Sequence, residues 1–178
     1  MERWLTEAEI YKGKIFSLWG GKVALDNGAT AVREYVRHPG GVAIVPVLGD
    51  RVILIRQFRV AIARELIELP AGLLEPDEAP IHCAARELQE EIGYRAQELI
   101  PLASYFSSVG FADERMHIYL ALGLKKTKSR QDVEERIHEM MMPEKVIRDK
   151  LAAREFEDAK TIIGLREFLA YRDSEQPE

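Results

Sequence analysis

Between Pro76 and Ile92 the chain reads as one amphipathic helix whose two faces make opposite demands. Ile81, Ala85, Leu88 and Ile92 recur at helical spacing as a core stripe, and Gly93 is a natural stop. Glu87, Glu90 and Glu91 stand at i, i+3 and i+4. At roughly 100° per residue they share one face, nearly opposite the stripe. A fold that accepts this helix must bury one side and hold three carboxylates close together on the other. Like charges at this spacing repel, and Arg86, four residues before Glu90, offsets only part of that. A divalent cation would offset the rest, and oxygen-only ligands select Mg²⁺ or Mn²⁺ over zinc. Such sites complete their coordination with water and phosphate, which turns the reading toward phosphate chemistry. A glutamate-rich helix alone is more often a solvated surface, so the decision rests on the longer pattern around it.

The remaining sequence supplies strands to pack the helix against. Val42–Val47 and Arg51–Phe58 flank Leu48-Gly49-Asp50 as a hairpin. Ile67–Leu69 is short and extended, and Leu99–Phe106, Met116–Leu122 and Met140–Met142 read as further strands. Pro143–Arg154 and Asp158–Tyr171 read as helices. Residues 1–37 read as short strands turned at Asn27-Gly28, ending at His38-Pro39-Gly40-Gly41. These strands bury too little to stand alone, so they must pack on the main domain or on another chain. The expected organisation is a β extension over 1–38, a main domain over 39–172 and a flexible tail over 173–178, within an α/β (α+β) class.

Composition narrows the partners. A net charge of −5 argues against a general nucleic-acid binder. No apolar run reaches the length of a membrane span, and the N-terminal MERWLTEAEI has no signal-peptide core, so a cytoplasmic protein is expected. The single cysteine, Cys83, excludes an intrachain disulfide and a cysteine-based zinc site, and fits a small buried apolar side chain. His38, His82, His117 and His138 are scattered and suggest no ligand set. Trp4 and Trp19 are expected to pack, with base stacking as the alternative.

The segment from Gly72 to Tyr94, GLLEPDEAPIHCAARELQEEIGY, matches Gly-x5-Glu-x7-Arg-Glu-U-x-Glu-Glu-x-Gly-U, where U is apolar, at Gly72, Glu78, Arg86, Glu87, Leu88, Glu90, Glu91, Gly93 and Tyr94. Its seven fixed residues would coincide by chance roughly once in 10⁷ windows. The chain thus resembles the Nudix hydrolases. The resemblance implies an α/β/α sandwich around a mixed sheet and hydrolysis of a nucleoside diphosphate linked to another group. It also implies metal held by Glu87, Glu90, Glu91 and the Ala71 carbonyl, with Arg86 and Glu78 orienting the carboxylates.

Features outside this box resemble the ADP-ribose pyrophosphatase group: the N-terminal strands, RQFR, ELPAGLLEPDE and the SxxGFxDE loop. By that resemblance Arg59, Glu75, Gly110 and Glu114 face the substrate, and the N-terminal sheet contributes to a homodimer and to adenosine binding. The catalytic base implied is Glu135, with Glu134 as the alternate, and Glu91 shares the catalytic role. The cofactor implied is Mg²⁺, with Mn²⁺ possible in its place. One position departs from the group. Its marker loop reads Ser-Pro-Gly, and here it is Ser108-Val109-Gly110, which loses the fixed φ of proline. ADP-ribose, split to AMP and ribose 5-phosphate, is therefore the first substrate expected, and GDP-mannose or another sugar nucleotide its competitor. A non-catalytic sensor of nucleotide sugars would have eroded box carboxylates, and these are intact.

Overall fold

The computed structural model describes residues 1–127 and 137–175. Its chain divides into two units, Met1–Gly40 with Tyr105–Arg115, and Gly41–Ser104 with Met116–Glu178.

In the first unit β1 (Arg3–Lys12), β2 (Ser17–Ala24) and β3 (Thr30–Arg37) form an antiparallel sheet in the order β1-β2-β3. The β2–β3 turn closes through Leu25 N donating to the Ala29 carbonyl at 2.9 Å, with Gly28 at φ +81°, the region where a missing Cβ matters. β1 has no buried residue, and Gly21 lies so close to it that a Cβ would stand 2.0 Å from the Thr6 carbonyl oxygen. The 105–115 segment belongs to this unit because it is stitched to β3. Val36 N donates to the Phe111 carbonyl at 2.7 Å, and Asp113 N to the Val36 carbonyl at 3.1 Å.

The second unit is built on a mixed sheet. β4 (Gly41–Leu48) and β5 (Arg51–Arg59) form the expected hairpin, and a 3₁₀ turn at Val60–Ile62 leads to β6 (Arg64–Glu68), paired with β5. β7 (Ala71–Leu73) pairs with β4 and leads to helix α1 (Pro80–Ile92). The two-residue β8 (Tyr94–Arg95), β9 (Glu98–Phe106), β10 (Arg115–Leu122), β11 (Lys125–Lys126, paired with β8) and β12 (Ile137–Pro143) follow. Helices α2 (Glu144–Ala152) and α3 (Ala159–Ser174) complete it. The main order is β12-β5-β4-β10-β9, with β4 and β10 parallel and β5 antiparallel to both its neighbours.

β4 is buried on both faces, from Gly41 to Val47, as a strand roofed on both sides must be. Val42 and Ile44 join Leu88 and Ile92 of α1 in one core cluster. On the opposite face Ile118, in register with Ala43, approaches Gly164 of α3, where a Cβ would meet the Leu69 side chain at 2.5 Å. The expected α/β/α sandwich is thus the observed one. α3 runs to Ser174, so Asp173 and Ser174 are not a loose tail; Asp173 pairs with Arg148 of α2 at 2.6 Å.

Two readings of α1 need correction. It begins at Pro80 rather than Pro76, because Asp77 takes φ +62° and the chain turns before Pro80, whose fixed φ starts the helix. Its buried residues are Cys83, Ala84, Leu88, Glu91 and Ile92, while Ile81 and Ala85 are exposed. The helix is rotated from the expected stripe so that Glu91 turns inward.

Candidate active site

The box is held together by Arg86. Its Nε and Nη2 donate to the two carboxylate oxygens of Glu78, both at 2.9 Å. Its Nη1 donates to Glu87 at 2.7 Å and to Glu90 at 3.1 Å, and Nη2 also reaches the Leu73 carbonyl at 3.0 Å. Only a planar guanidinium can serve a bidentate carboxylate and two more acceptors at once. The turn before α1 returns the favour, since Glu75 N donates to Glu78 at 3.1 Å. Arg86 holds the Glu78 carboxyl down to about pKa 2, and Glu78 in turn raises that of Arg86. Cys83 lies beside this knot, fully buried and donating toward the Leu73 carbonyl at 3.3 Å; burial pushes its thiol up to about 12, so it is inert packing.

Glu91 is held by a different contact. It is 5% exposed and accepts a hydrogen bond from Ala71 N at 2.9 Å, tying α1 to the residue just before the box glycine. Gly72 is glycine for a spatial reason. A Cβ there would stand 1.8 Å from Oε1 of Glu87. Gly72→Ala is therefore expected to drive the Glu87 carboxylate from its place and cut turnover by about 100-fold, the size of effect that a 1 Å misplacement produces. Steady-state kinetics would check this, and a melting point within a few degrees of the unaltered protein would assign the loss to the site.

Among the described residues no three histidine, cysteine or acidic side chains converge as a ready metal cage. Of the three expected carboxylates, Glu87 and Glu90 accept from Arg86, and Glu91 accepts from the Ala71 amide. The donor chemistry still fits a hard divalent cation. Glu87, Glu90 and Glu91 are all on α1, Arg86 donates to the first two, and the third accepts from the Ala71 amide of the strand that α1 packs against.

Arg59 lies at the end of β5, where its Nε and Nη2 donate to Glu68 at 2.7 and 2.6 Å. Glu68 is 1% exposed and also pairs with Lys160, which reaches Asp158 at 3.0 Å. Glu68 raises the pKa of Arg59 most, and Asp158 and Glu91 add to it through space. Burial raises the pKa of Glu68, but Arg59 and Lys160 outweigh it, so its carboxyl stays below the usual range. The resemblance singles out Arg59, while Glu68, which holds it, and Lys160, which pairs with Glu68, carry no signal in the sequence. Glu68 stands in ELIELP at an alternating position that says nothing of burial, and Lys160 is 92 residues further on.

Glu75 is exposed on the turn before α1. Gly110 and Glu114 belong to the first unit. There Ser108 to Ala112 forms a turn, with Phe111 N and Ala112 N donating to the Ser108 carbonyl at 3.1 and 2.9 Å. Glu114 accepts from the Ser107 hydroxyl and has Nδ1 of His38 3.6 Å away. Trp19 packs under the Arg37 guanidinium, 4.2 Å from its ring centroid. Glu134 and Glu135 lie outside the described residues.

The NUDIX domain model matches residues 37–163, which spans most of the chain. The chain belongs to the Nudix family. A relative from Bacillus subtilis (strain 168), an ADP-ribose pyrophosphatase, is 37% identical over 93% of this chain and 91% of its own length. A GDP-mannose pyrophosphatase from Klebsiella pneumoniae is 34% identical over 79% of this chain and 69% of its own. A crystal structure of an ADP compounds hydrolase superposes with a TM-score of 0.86 over 97% of this chain and 95% of that one, at 24% identity, a likeness of fold. The Gly72–Tyr94 segment that Arg86 knots together lies within the matched residues. Nudix hydrolases are generally dependent on a divalent metal, in keeping with the all-oxygen donor set found here.

Proposed function

We propose that this Nudix protein hydrolyses the pyrophosphate bond of a nucleoside diphosphate sugar, with ADP-ribose, split to AMP and ribose 5-phosphate, as the first substrate. The observation that carries the reading is the intact box: Glu87, Glu90 and Glu91 are all present, with Arg86 and Glu78 fixing two of them and the Ala71 amide fixing the third. The long match to an ADP-ribose pyrophosphatase supports the substrate. A bound Mg²⁺, or Mn²⁺ in its place, would neutralise the diphosphate and make water a better nucleophile. The residues that would hold it are Glu87, Glu90, Glu91 and the Ala71 carbonyl.

The chain's own groups do the rest. Arg59 presents a guanidinium to the phosphates, offsetting charge that grows as the leaving phosphate departs. Arg86 holds the Glu87 and Glu90 carboxylates to one side of α1. Glu135, or Glu134, is the proposed acceptor of the water proton. The resemblance alone assigns Glu75, Gly110 and Glu114 to the substrate.

Val109 keeps GDP-mannose as the second reading, in line with the Klebsiella relative. The test is a competition in Mg²⁺ among ADP-ribose, GDP-mannose, UDP-glucose and NADH with products identified. ADP-ribose turned over with the highest kcat/KM supports the first reading; GDP-mannose at the top replaces it; tight binding without turnover of any replaces both with a sensor.

We further propose a homodimer through the N-terminal sheet of a cytoplasmic protein. Leu5, Ile10 and Tyr11 of β1 and Val32 of β3 are exposed, Val32 by 66%, an apolar surface that a lone sheet in water does not favour. Sedimentation at micromolar concentration is expected to give twice the chain mass. A monomer would contradict the dimer and leave the hydrolase reading standing.

A further inference from the structure

We propose that Glu68 is a positioning residue for Arg59, with Lys160 as a second cation on Glu68, so that the guanidinium is aimed before substrate arrives. The proposal rests on the reading of Arg59 as the phosphate-facing arginine.

The strand register creates the pairing. Glu68 lies opposite Ile55 in the β5–β6 ladder, and residues 55, 57 and 59 share one face of β5. Arg59 turns back along that face and places two parallel N–H groups on the two oxygens of Glu68. Its side chain is 41% exposed, while that of Glu68 is 1% exposed. One edge of the guanidinium is thus locked inside, and the Nη1 end is the part Glu68 does not use.

Burying a carboxylate is costly unless its oxygens are satisfied, and here they are satisfied by two cations. Lys160 supplies the second. It sits in the first turn of α3, a turn fastened to the strand end by two further contacts. Thr161 Oγ1 donates to Asp158 at 2.6 Å, and Leu69 N donates to Thr161 Oγ1 at 2.8 Å. Leu69 follows Glu68 directly, and Ala71, whose amide Glu91 holds, stands three residues beyond Glu68. The mount for Arg59 ends β6 and the anchor for Glu91 begins β7, with only Leu69 and Pro70 between them. Arg59, Lys160, Glu68 and Asp158 together carry two positive and two negative charges, so the mount is neutral before a phosphate approaches.

A double-mutant cycle between Glu68→Gln and Arg59→Ala tests this, read as kcat and KM for the sugar nucleotide the unaltered protein turns over fastest in Mg²⁺. Glu68→Gln is expected to lower kcat by about tenfold or more, with KM changed by less than about threefold, because a mis-aimed guanidinium still attracts the diphosphate. Arg59→Ala is expected to lower kcat and raise KM. The combined variant is expected to be no worse than Arg59→Ala, since Glu68 then has nothing left to aim. The same cycle is run with the charge-balanced Glu68→Gln/Lys160→Met, so that misfolding of the single variant does not stop the test. Losses that multiply across the cycle, or a Glu68→Gln protein with unchanged kcat, would overturn the proposal while leaving the hydrolase reading intact. An unaltered protein that turns over no sugar nucleotide would overturn both.

Discussion

Glu91→Gln is expected to lower kcat for sugar-nucleotide hydrolysis by about 10³-fold, roughly 4 kcal/mol of lost transition-state stabilisation, with little change in melting point. Glu91 is almost fully buried yet accepts one backbone hydrogen bond, from Ala71 N. A glutamine of the same shape still offers an oxygen to that amide, so the link between α1 and β7 survives. What disappears is the negative charge, at the junction where the backbone of Ala71 and the acidic side of α1 meet. A carboxylate kept there for stability alone would be replaceable by a neutral isostere at small cost in turnover. Kinetics in Mg²⁺ and thermal denaturation, measured on the same preparation, separate these outcomes. A fall in melting point that matches the loss of activity would make Glu91 a structural residue.

Arg86→Ala is expected to cost about 2–4 kcal/mol of stability near neutral pH and to abolish most turnover. Arg86 serves three carboxylates and the Leu73 carbonyl. Its removal leaves Glu78 and Glu87, side chains only 14% and 12% exposed, without their cation. The loss depends on pH in a defined direction. The folded-state pKa of Glu78 is depressed to about 2 by Arg86, so its stabilisation is present above the unfolded value near 4.5 and fades as pH falls toward 2. Repulsion among carboxylates left behind in the variant also fades as they protonate. The stability gap between the unaltered protein and Arg86→Ala should therefore narrow by about 1–2 kcal/mol between pH 6 and pH 3, measured by urea unfolding. A gap that stays constant over that range would mean that the Arg86–Glu78 pair is not the source of the stabilisation.

Much of this was legible in the sequence because the relevant signals are local. The β4–β5 hairpin follows from two apolar runs around a two-residue turn, Gly49-Asp50. The Arg86–Glu90 pair follows from helical spacing, and the family follows from fixed residues within one segment. The rotation of α1 was not legible. Hydrophobicity chose Ile81 and Ala85 for the core, but the approach of Glu87 to Gly72 and of Glu91 to Ala71 N turns the helix so that Cys83 and Ala84 face the sheet instead. Periodicity cannot weigh one tertiary hydrogen bond against two exposed apolar side chains. Nor could it find the pairing of Glu68 with Lys160, which depends on where α3 docks on the strand end.

The central claim is metal-dependent cleavage of a pyrophosphate bond by the Glu87/Glu90/Glu91 box. Its most direct test is incubation of ADP-ribose with the protein in Mg²⁺ and ¹⁸O-labelled water, with products identified by mass spectrometry. The expected result is AMP and ribose 5-phosphate in equal amounts, one of them carrying a single ¹⁸O on its phosphate, and no products after chelation or from Glu90→Gln/Glu91→Gln. Products formed equally well by that double variant, or label found on a sugar carbon instead of a phosphate, would contradict it.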